Sequence, residues 1–180
     1  MGETLSKENA EAIFLEHSNY IYRIALFLTK SKALADDITQ GTFIKVFQKY
    51  HTFNCSKPIQ PWIYKITLNI TRNMLRRQKW LNFVNEISEK TGRDFVESVV
   101  LQNEGERELW KEINNLSPKS KEVLVLHFYS GLKLSEISEV LNIPLGTCKS
   151  ILNAALSALR KSLKTEKTGY LNGGDLYEPN

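Results

Sequence analysis

Between Pro61 and Lys79 the chain reads PWIYKITLNITRNMLRRQK, and two helical stripes of opposite character run through it. Ile63, Ile66, Ile70 and Met74 recur at steps of three and four, the spacing that gathers apolar side chains on one face of an α-helix. Lys65, Asn69, Arg72, Arg76 and Lys79 recur at the same steps about half a turn away. The first stripe demands an apolar scaffold. The second then becomes a rigid row of donors at a pitch suited to a nucleic-acid backbone. A solvated helix whose charges only confer solubility is the plain alternative. Trp62, beside the cationic row, weighs against it, because an aromatic there offers a stacking surface for an unstacked base.

The chain has 180 residues, enough for one ordinary domain or two small ones, and its 42% hydrophobic content can fill a core. Net charge is +4, a mild argument for a polyanionic partner. Its distribution is more informative. Residues 1–80 hold twelve Lys/Arg against six Asp/Glu, residues 81–112 four against eight, and residues 113–164 seven against three. Two basic blocks thus flank an acidic one. Cys55 and Cys148 stand far apart without a C-x-x-C partner, so neither a disulfide framework nor a zinc site is indicated. His17, His51 and His127 are equally scattered. No catalytic constellation, metal site or cofactor motif is visible, and an enzyme or a small-molecule substrate is not expected. MGETLSKENAEA lacks the layout of a secretory signal, and IALFL and VLVLHF are too short to span a bilayer. A cytoplasmic protein without membrane insertion is expected.

In chain order, Asn9 to Thr29 carries Ile13, Phe14, Ile21, Ile24, Ala25 and Leu28 at helical spacing, expected as two core-building helices meeting near Ser18 or Asn19. ALADDITQGTFIKVFQKY follows as a helix with Ile38, Phe43, Val46, Phe47 and Tyr50 on its apolar side. Asp36, Asp37 and Gln40 form an acidic and amide cluster early in it, which the helix dipole also favours. Gly41 costs roughly 1 kcal/mol there relative to alanine and suggests a close approach or drift. His51 to Pro61 has two prolines and no period, so it reads as a loop, either a connector or, with Phe53, Asn54 and Lys57, a cover over a flipped base. The acidic residues 85–103 read as a linker. Beyond them Leu109, Trp110, Ile113 and Leu116 form a helix. Ser117 and Pro118 start the next as N-cap and first helical residue, and it stops at Gly131. A short helix with Ile137, Val140 and Leu141 inside, a turn at Asn142 to Gly146, and a long helix to Lys164 complete a helix-turn-helix. Residues 165–180 read as a flexible tail.

These stretches together resemble the extracytoplasmic-function group of bacterial RNA polymerase sigma factors. The likeness rests on YIYRIALFLT, DDITQGTF and PWIYKITLNITRNMLRR in the first half, and on INNLSPKSKEVLVLHFYSGLKLSEISEVLNIPLGTCKS in the second. The resemblance implies an all-α fold of two small helical domains, residues 1–84 and 104–164, joined by the acidic linker. It implies docking on core RNA polymerase through Asp36, Asp37, Gln40, Thr42 and Phe43, with Gly41 replacing the family's usual glutamate. It implies recognition of the minus-ten promoter element through Phe53, Asn54, Lys57, Trp62, Lys65, Asn69, Arg72, Asn73, Arg76 and Arg77. Asn69 falls where the family has its base-pocket asparagine, and Asn73 stands where an aspartate is frequent. Thr147, Lys149, Ser150 and Asn153 would meet the minus-thirty-five element. Ile151, Ala154 and Leu156 stand where relatives commonly have arginine. Promoter DNA and a cognate anti-sigma factor are the further partners implied. A stand-alone helix-turn-helix regulator and a protein-binding paralogue with weakened DNA readout remain the alternatives.

Overall fold

A computed structural model describes residues 5–84 and 104–171, and the regular structure among these is entirely helical. The expected linker, residues 85–103, lies outside them. Helix α1 spans Lys7–Thr29, starting where the Ser6 hydroxyl accepts the Asn9 N–H at 3.2 Å. It ends at Lys30, which takes the left-handed conformation (φ 57°) and donates its N–H to the Leu26 carbonyl. This is the usual way to satisfy a terminal carbonyl. Ser31 at once caps α2, Lys32–Lys49, accepting the Leu34 N–H at 3.3 Å. With so short a connection α1 and α2 form a hairpin. After a 3-10 turn at Tyr50–Thr52, α3 runs over Ile59–Val84 and packs across both.

The expected break in α1 does not occur, and one helix runs through Ser18 and Asn19. Neither residue is a helix breaker, and Asn19 turns outward, where its Oδ1 accepts from Arg23 Nε at 3.2 Å. Nor does the loop reach Pro61. Proline is tolerated in a first turn, where its missing N–H has no intrahelical partner in any case, so α3 begins at Ile59. Ile21, Phe43, Val46 and Ile63 form one buried cluster, and Ala25, Ala35 and Ile38 a second, against which Ile70 and Met74 pack. At Gly41 an added Cβ would meet Ile70 at 3.8 Å, an ordinary contact, so no close approach requires glycine.

In the second half α4 covers Glu104–Asn115 and α5 Pro118–Leu124, with the Ser117 hydroxyl accepting the Ser120 N–H at 3.1 Å as its cap. The helix then widens into a π turn over Val125–Tyr129, in which Ser130 N–H donates to Val125 O. Gly131 follows at φ 68°, and the His127 Nδ1, 3.0 Å from the Leu132 carbonyl, acts as donor and closes the turn. Helix α6, Leu134–Leu141, has its Lys133 N–H held by the Glu136 carboxylate at 2.7 Å and ends at Asn142 in the left-handed region. Helix α7, Leu145–Leu171, buries Cys148, Leu152, Ala155 and Leu159, which recur at steps of three and four. It continues past Lys164 to Leu171, so the start of the expected tail is helical; no proline interrupts it.

The two domains pack on each other. Ile24, Tyr64 and Leu68 of the first share a buried cluster with Val123, Leu126, Leu132 and Ile137 of the second, flanked by Phe27 and Leu28. Ring pairs Tyr20–Tyr129 (5.7 Å) and Phe27–Trp110 (5.4 Å) also cross the seam.

Candidate nucleic-acid interface

Helix α3 is held by its buried side, Ile63, Tyr64, Thr67, Leu68 and Thr71, with Ile66, Ile70 and Met74 partly covered. Thr67 and Thr71 satisfy their hydroxyls by donating to the carbonyls of Ile63 and Thr67, so these polar residues can sit inside the packing. The opposite side exposes Lys65, Asn69, Asn73, Arg76, Arg77 and Lys79. Arg76 Nη2 donates to Asn73 Oδ1 at 3.0 Å, which fixes that guanidinium along the row.

At the start of the row Trp62 is half-buried, with its ring centroid 5.2 Å from that of Phe53, itself 5.9 Å from Tyr50. Trp62 also packs against the Ile21 and Phe43 cluster. It therefore anchors the loop as well as bordering the cations. Asn54 shapes the loop, its Oδ1 accepting from Ser56 N at 3.0 Å and Ser56 Oγ at 2.7 Å.

Two residues expected at the minus-ten element are already engaged. Arg72 makes a fork to Glu122 of α5, Nε to Oε1 at 2.7 Å and Nη2 to Oε2 at 2.6 Å. The hydrogen bonds to Glu122 raise the guanidinium's pKa, partly offset by burial. Lys57 Nζ lies 3.4 Å from Glu139 of α6 in an exposed pair. Glu122 was not singled out in the sequence. Its signal was weak, an acidic residue at the head of the apolar run VLVL, which needs a partner only if it is buried.

The docking set expected on α2 divides. Asp36, Asp37 and Gln40 are exposed, whereas Thr42 is fully buried and Phe43 nearly so. Those two lie in the core beneath the exposed Asp36, Asp37 and Gln40. The sequence pattern also placed Phe14 and Phe47 inside, yet both are more than a third exposed, with Ile44 and Leu15 more so. Phe14 packs on Phe43 at 4.7 Å and Phe43 on Phe47 at 5.8 Å, giving an aromatic strip beside the acidic cluster. The run FIKVF held the signal, since Phe43, Ile44, Val46 and Phe47 spread too widely for one buried stripe.

On α7, Thr147, Lys149, Ser150 and Asn153 are all exposed, with Ala154, Ser157 and Lys161 continuing the face. Ser150 Oγ donates to Gly146 O at 3.0 Å. Ile151 and Leu156 instead pack against the shared core. Among the described residues no cluster of His, Cys, Asp or Glu is arranged to hold a metal, and no helix is long and apolar enough to cross a membrane.

Comparison with known proteins bears on both halves. Residues 13–81 match Sigma-70 region 2, and residues 113–161 match Sigma-70, region 4. The chain is 28% identical over 159 residues to the ECF RNA polymerase sigma factor SigW of Bacillus subtilis, covering 82% of this chain and 85% of the relative. It is 27% identical over 151 residues to SigM of the same organism, covering 83% and 92%. Among solved structures, the sigma factor RpoE in complex with the anti-sigma factor NepR from Bartonella quintana aligns with a TM-score of 0.70 at 21% identity, over 86% of this chain and 96% of that one. CnrH in complex with the cytosolic domain of CnrY aligns at 0.68 and 19%, over 89% and 90%. These two likenesses concern the fold.

Proposed function

The chain belongs to the extracytoplasmic-function group of the sigma-70 family and so acts in transcription initiation, and from that premise we propose how its residues divide the work. Asp36, Asp37 and Gln40, beside the Phe14, Ile44 and Phe47 strip, dock on core RNA polymerase. Helix α3 holds the melted minus-ten element: Lys65, Arg72, Arg76 and Arg77 follow the phosphates, and Asn69 and Asn73 face bases. Phe53, Asn54, Lys57 and Trp62 border the entry. Thr147, Lys149, Ser150 and Asn153 touch the minus-thirty-five element. The polymerase supplies catalysis, so this protein needs no cofactor or catalytic residue of its own, and it works in the cytoplasm. A solved structure of like fold, the sigma factor RpoE, is bound to the anti-sigma factor NepR, and the same kind of partner is proposed here.

The observation carrying this reading is the row Lys65, Asn69, Asn73 and Arg76 on one face of a helix whose other face is buried. Unstacking a base costs a few kcal/mol, and a pocket for the base with cations on the backbone offsets it. The test is transcription with core polymerase on a genomic library, then on one selected promoter as duplex and as a pre-melted template. Asn69→Ala is expected to impair the duplex template more than the melted one; equal loss on both would assign Asn69 to folding or docking. Asp37→Lys is expected to weaken core binding with the helical content intact, and unchanged binding would remove Asp37 from the docking set.

A further inference from the structure

Helix α3 reads IQPWIYKITLNITRNMLRRQKWLNFV, with five Lys or Arg and neither Asp nor Glu. Its charge suits a polyanion from end to end. Near the far end stands Trp80, 63% exposed, an uncommon position for a side chain that carries so much apolar ring. Trp62, at the other end, packs on the Ile21 and Phe43 cluster, whereas Trp80 joins none of the buried clusters among the described residues. Packing therefore does not account for it. Trp62, Lys65, Asn69, Asn73, Arg76 and Trp80 succeed one another at steps of three and four. The two tryptophans are eighteen residues apart, which at 3.6 residues per turn and 1.5 Å per residue sets them on the same side of the helix, about 27 Å from each other.

We propose that Trp80 is a second stacking platform, which takes an unpaired base of the strand lying along α3, so that the row is closed by an indole at each end; this extends, and rests on, the assignment of α3 as the strand-binding helix. Stacking of this kind tolerates any base, because every base has a π-face. Arg76 and Arg77 precede Trp80 by four and three residues, the spacings that make neighbours on a helix surface. A base on the indole thus leaves its phosphate beside a guanidinium, which binds phosphate through parallel donors. A stacked strand advances about 3.4 Å per nucleotide, so about eight nucleotides cover the distance between the indoles, and fewer when the strand is drawn out. The second platform therefore sets the length of strand that α3 holds.

The test uses the full chain assembled with core polymerase and a single strand carrying the minus-ten element of the promoter selected above, with 2-aminopurine placed at one position after another. Trp80 is exposed and alanine favours a helix, so Trp80→Ala keeps the fold. It is expected to change the 2-aminopurine emission at one position alone and to weaken strand binding roughly tenfold. Trp80→Phe, which keeps a stacking ring, should recover most of that affinity, and Trp80→Leu, apolar without a ring, should not. Strand binding by Trp80→Ala as tight as the parent's, or Trp80→Leu equal to Trp80→Phe, would overturn the proposal. If Trp80→Ala instead weakens assembly with core polymerase and leaves the strand affinity of the assembled complex unchanged, the indole is a protein contact and the platform is refuted. Lys65→Ala with Arg76→Ala tests the underlying assignment separately. Should that pair leave strand binding unchanged, α3 is not the grip and the functional reading fails; should it weaken binding while Trp80→Ala does not, only the second platform fails.

Discussion

Helices α3 and α7 are the two longest among the described residues, 26 and 27 residues, and each buries one stripe while turning another outward. On α3 the outward stripe is a row of cations and amides. On the first turns of α7 it is Thr147, Ser150, Asn153, Ala154 and Ser157, with Lys149 as the cation. The inner faces do the same mechanical work, so the contrast lies only in what is offered to a partner. Cations hold a phosphate chain of any sequence, whereas small neutral side chains allow close approach with few charge-assisted bonds. On the proposed reading, binding rests on the first half and the second adds modest selection.

The largest expected effect follows from that contrast. Replacing Lys65, Arg76 and Lys79 together by alanine is expected to flatten the dependence of strand affinity on log salt by roughly two units, about 0.7 per lost phosphate contact. Affinity at low salt should fall on the order of a hundredfold. Lys149→Ala is expected to change the slope for duplex upstream DNA by about one unit or less. Comparable slopes for both, measured by anisotropy titration across a salt series, would break the comparison. In transcription, scrambling the minus-ten element should accordingly cost more than scrambling the minus-thirty-five element.

A smaller effect sharpens the same contrast within α7. Ile151 and Ala154 both stand where the family resemblance led one to expect arginine, but they are not equivalent here. Ala154 is exposed, and Ile151 packs against the shared core. Ala154→Arg is expected to raise duplex affinity and, where it reaches a guanine, to add about 1–3 kcal/mol of base discrimination. Ile151→Arg should instead destabilise the fold, by on the order of 2 kcal/mol, as its head group leaves the packing. Thermal unfolding and duplex binding on the two variants separate these outcomes. Tighter binding by Ile151→Arg at unchanged stability would mean that the helix turns a different side to the groove.

Ile151 also shows where the sequence was legible and where it was not. Periodicity within one helix placed Ile63, Ile66, Ile70 and Met74 of α3 against the apolar packing, although Tyr64, Thr67, Leu68 and Thr71 lie deeper than the last three. Burial against a neighbour at 3.6-residue spacing leaves such a local signature. The caps Ser117 and Pro118 were readable for the same reason, being local hydrogen-bond chemistry. What was not legible is the packing of one half on the other. It buries Tyr64 and Glu122 through contacts some fifty residues or more apart in sequence, and no local period records such a pairing. Arg72 and Lys57 were assigned to DNA on their own helix and loop, and the carboxylates that hold them came from elsewhere in the chain. The burial of Thr42 and Phe43 went unread for a related reason. The matching motif named them as a docking patch, while the helix phase that buries Ile38 and Val46 also buries them.

The smallest predicted effect compares the two cores. In the second half the buried ionisable side chain, Glu122, has a partner, whereas in the first half His17 Nε2 and Thr42 Oγ1 are buried without a hydrogen bond. Burial lowers the His17 pKa below its ordinary 6.5, and Glu16, with a carboxylate 3.7 Å away, opposes that only in part. The folded chain therefore holds this imidazole neutral over a range in which the unfolded chain already binds a proton. Stability must then rise with pH across that range and fall as the pH drops below about 6.5. Because Glu16 is exposed and keeps some of the imidazolium's attraction, the slope should be less than one proton. His17→Leu removes both the titration and the unpaired nitrogen. Its midpoint of thermal unfolding is expected to equal or exceed the parent's at pH 7, with a flatter decline between pH 7 and 5.5. If the variant loses stability in parallel with the parent over that interval, the acid sensitivity belongs to other groups, and the first half owes none of it to His17.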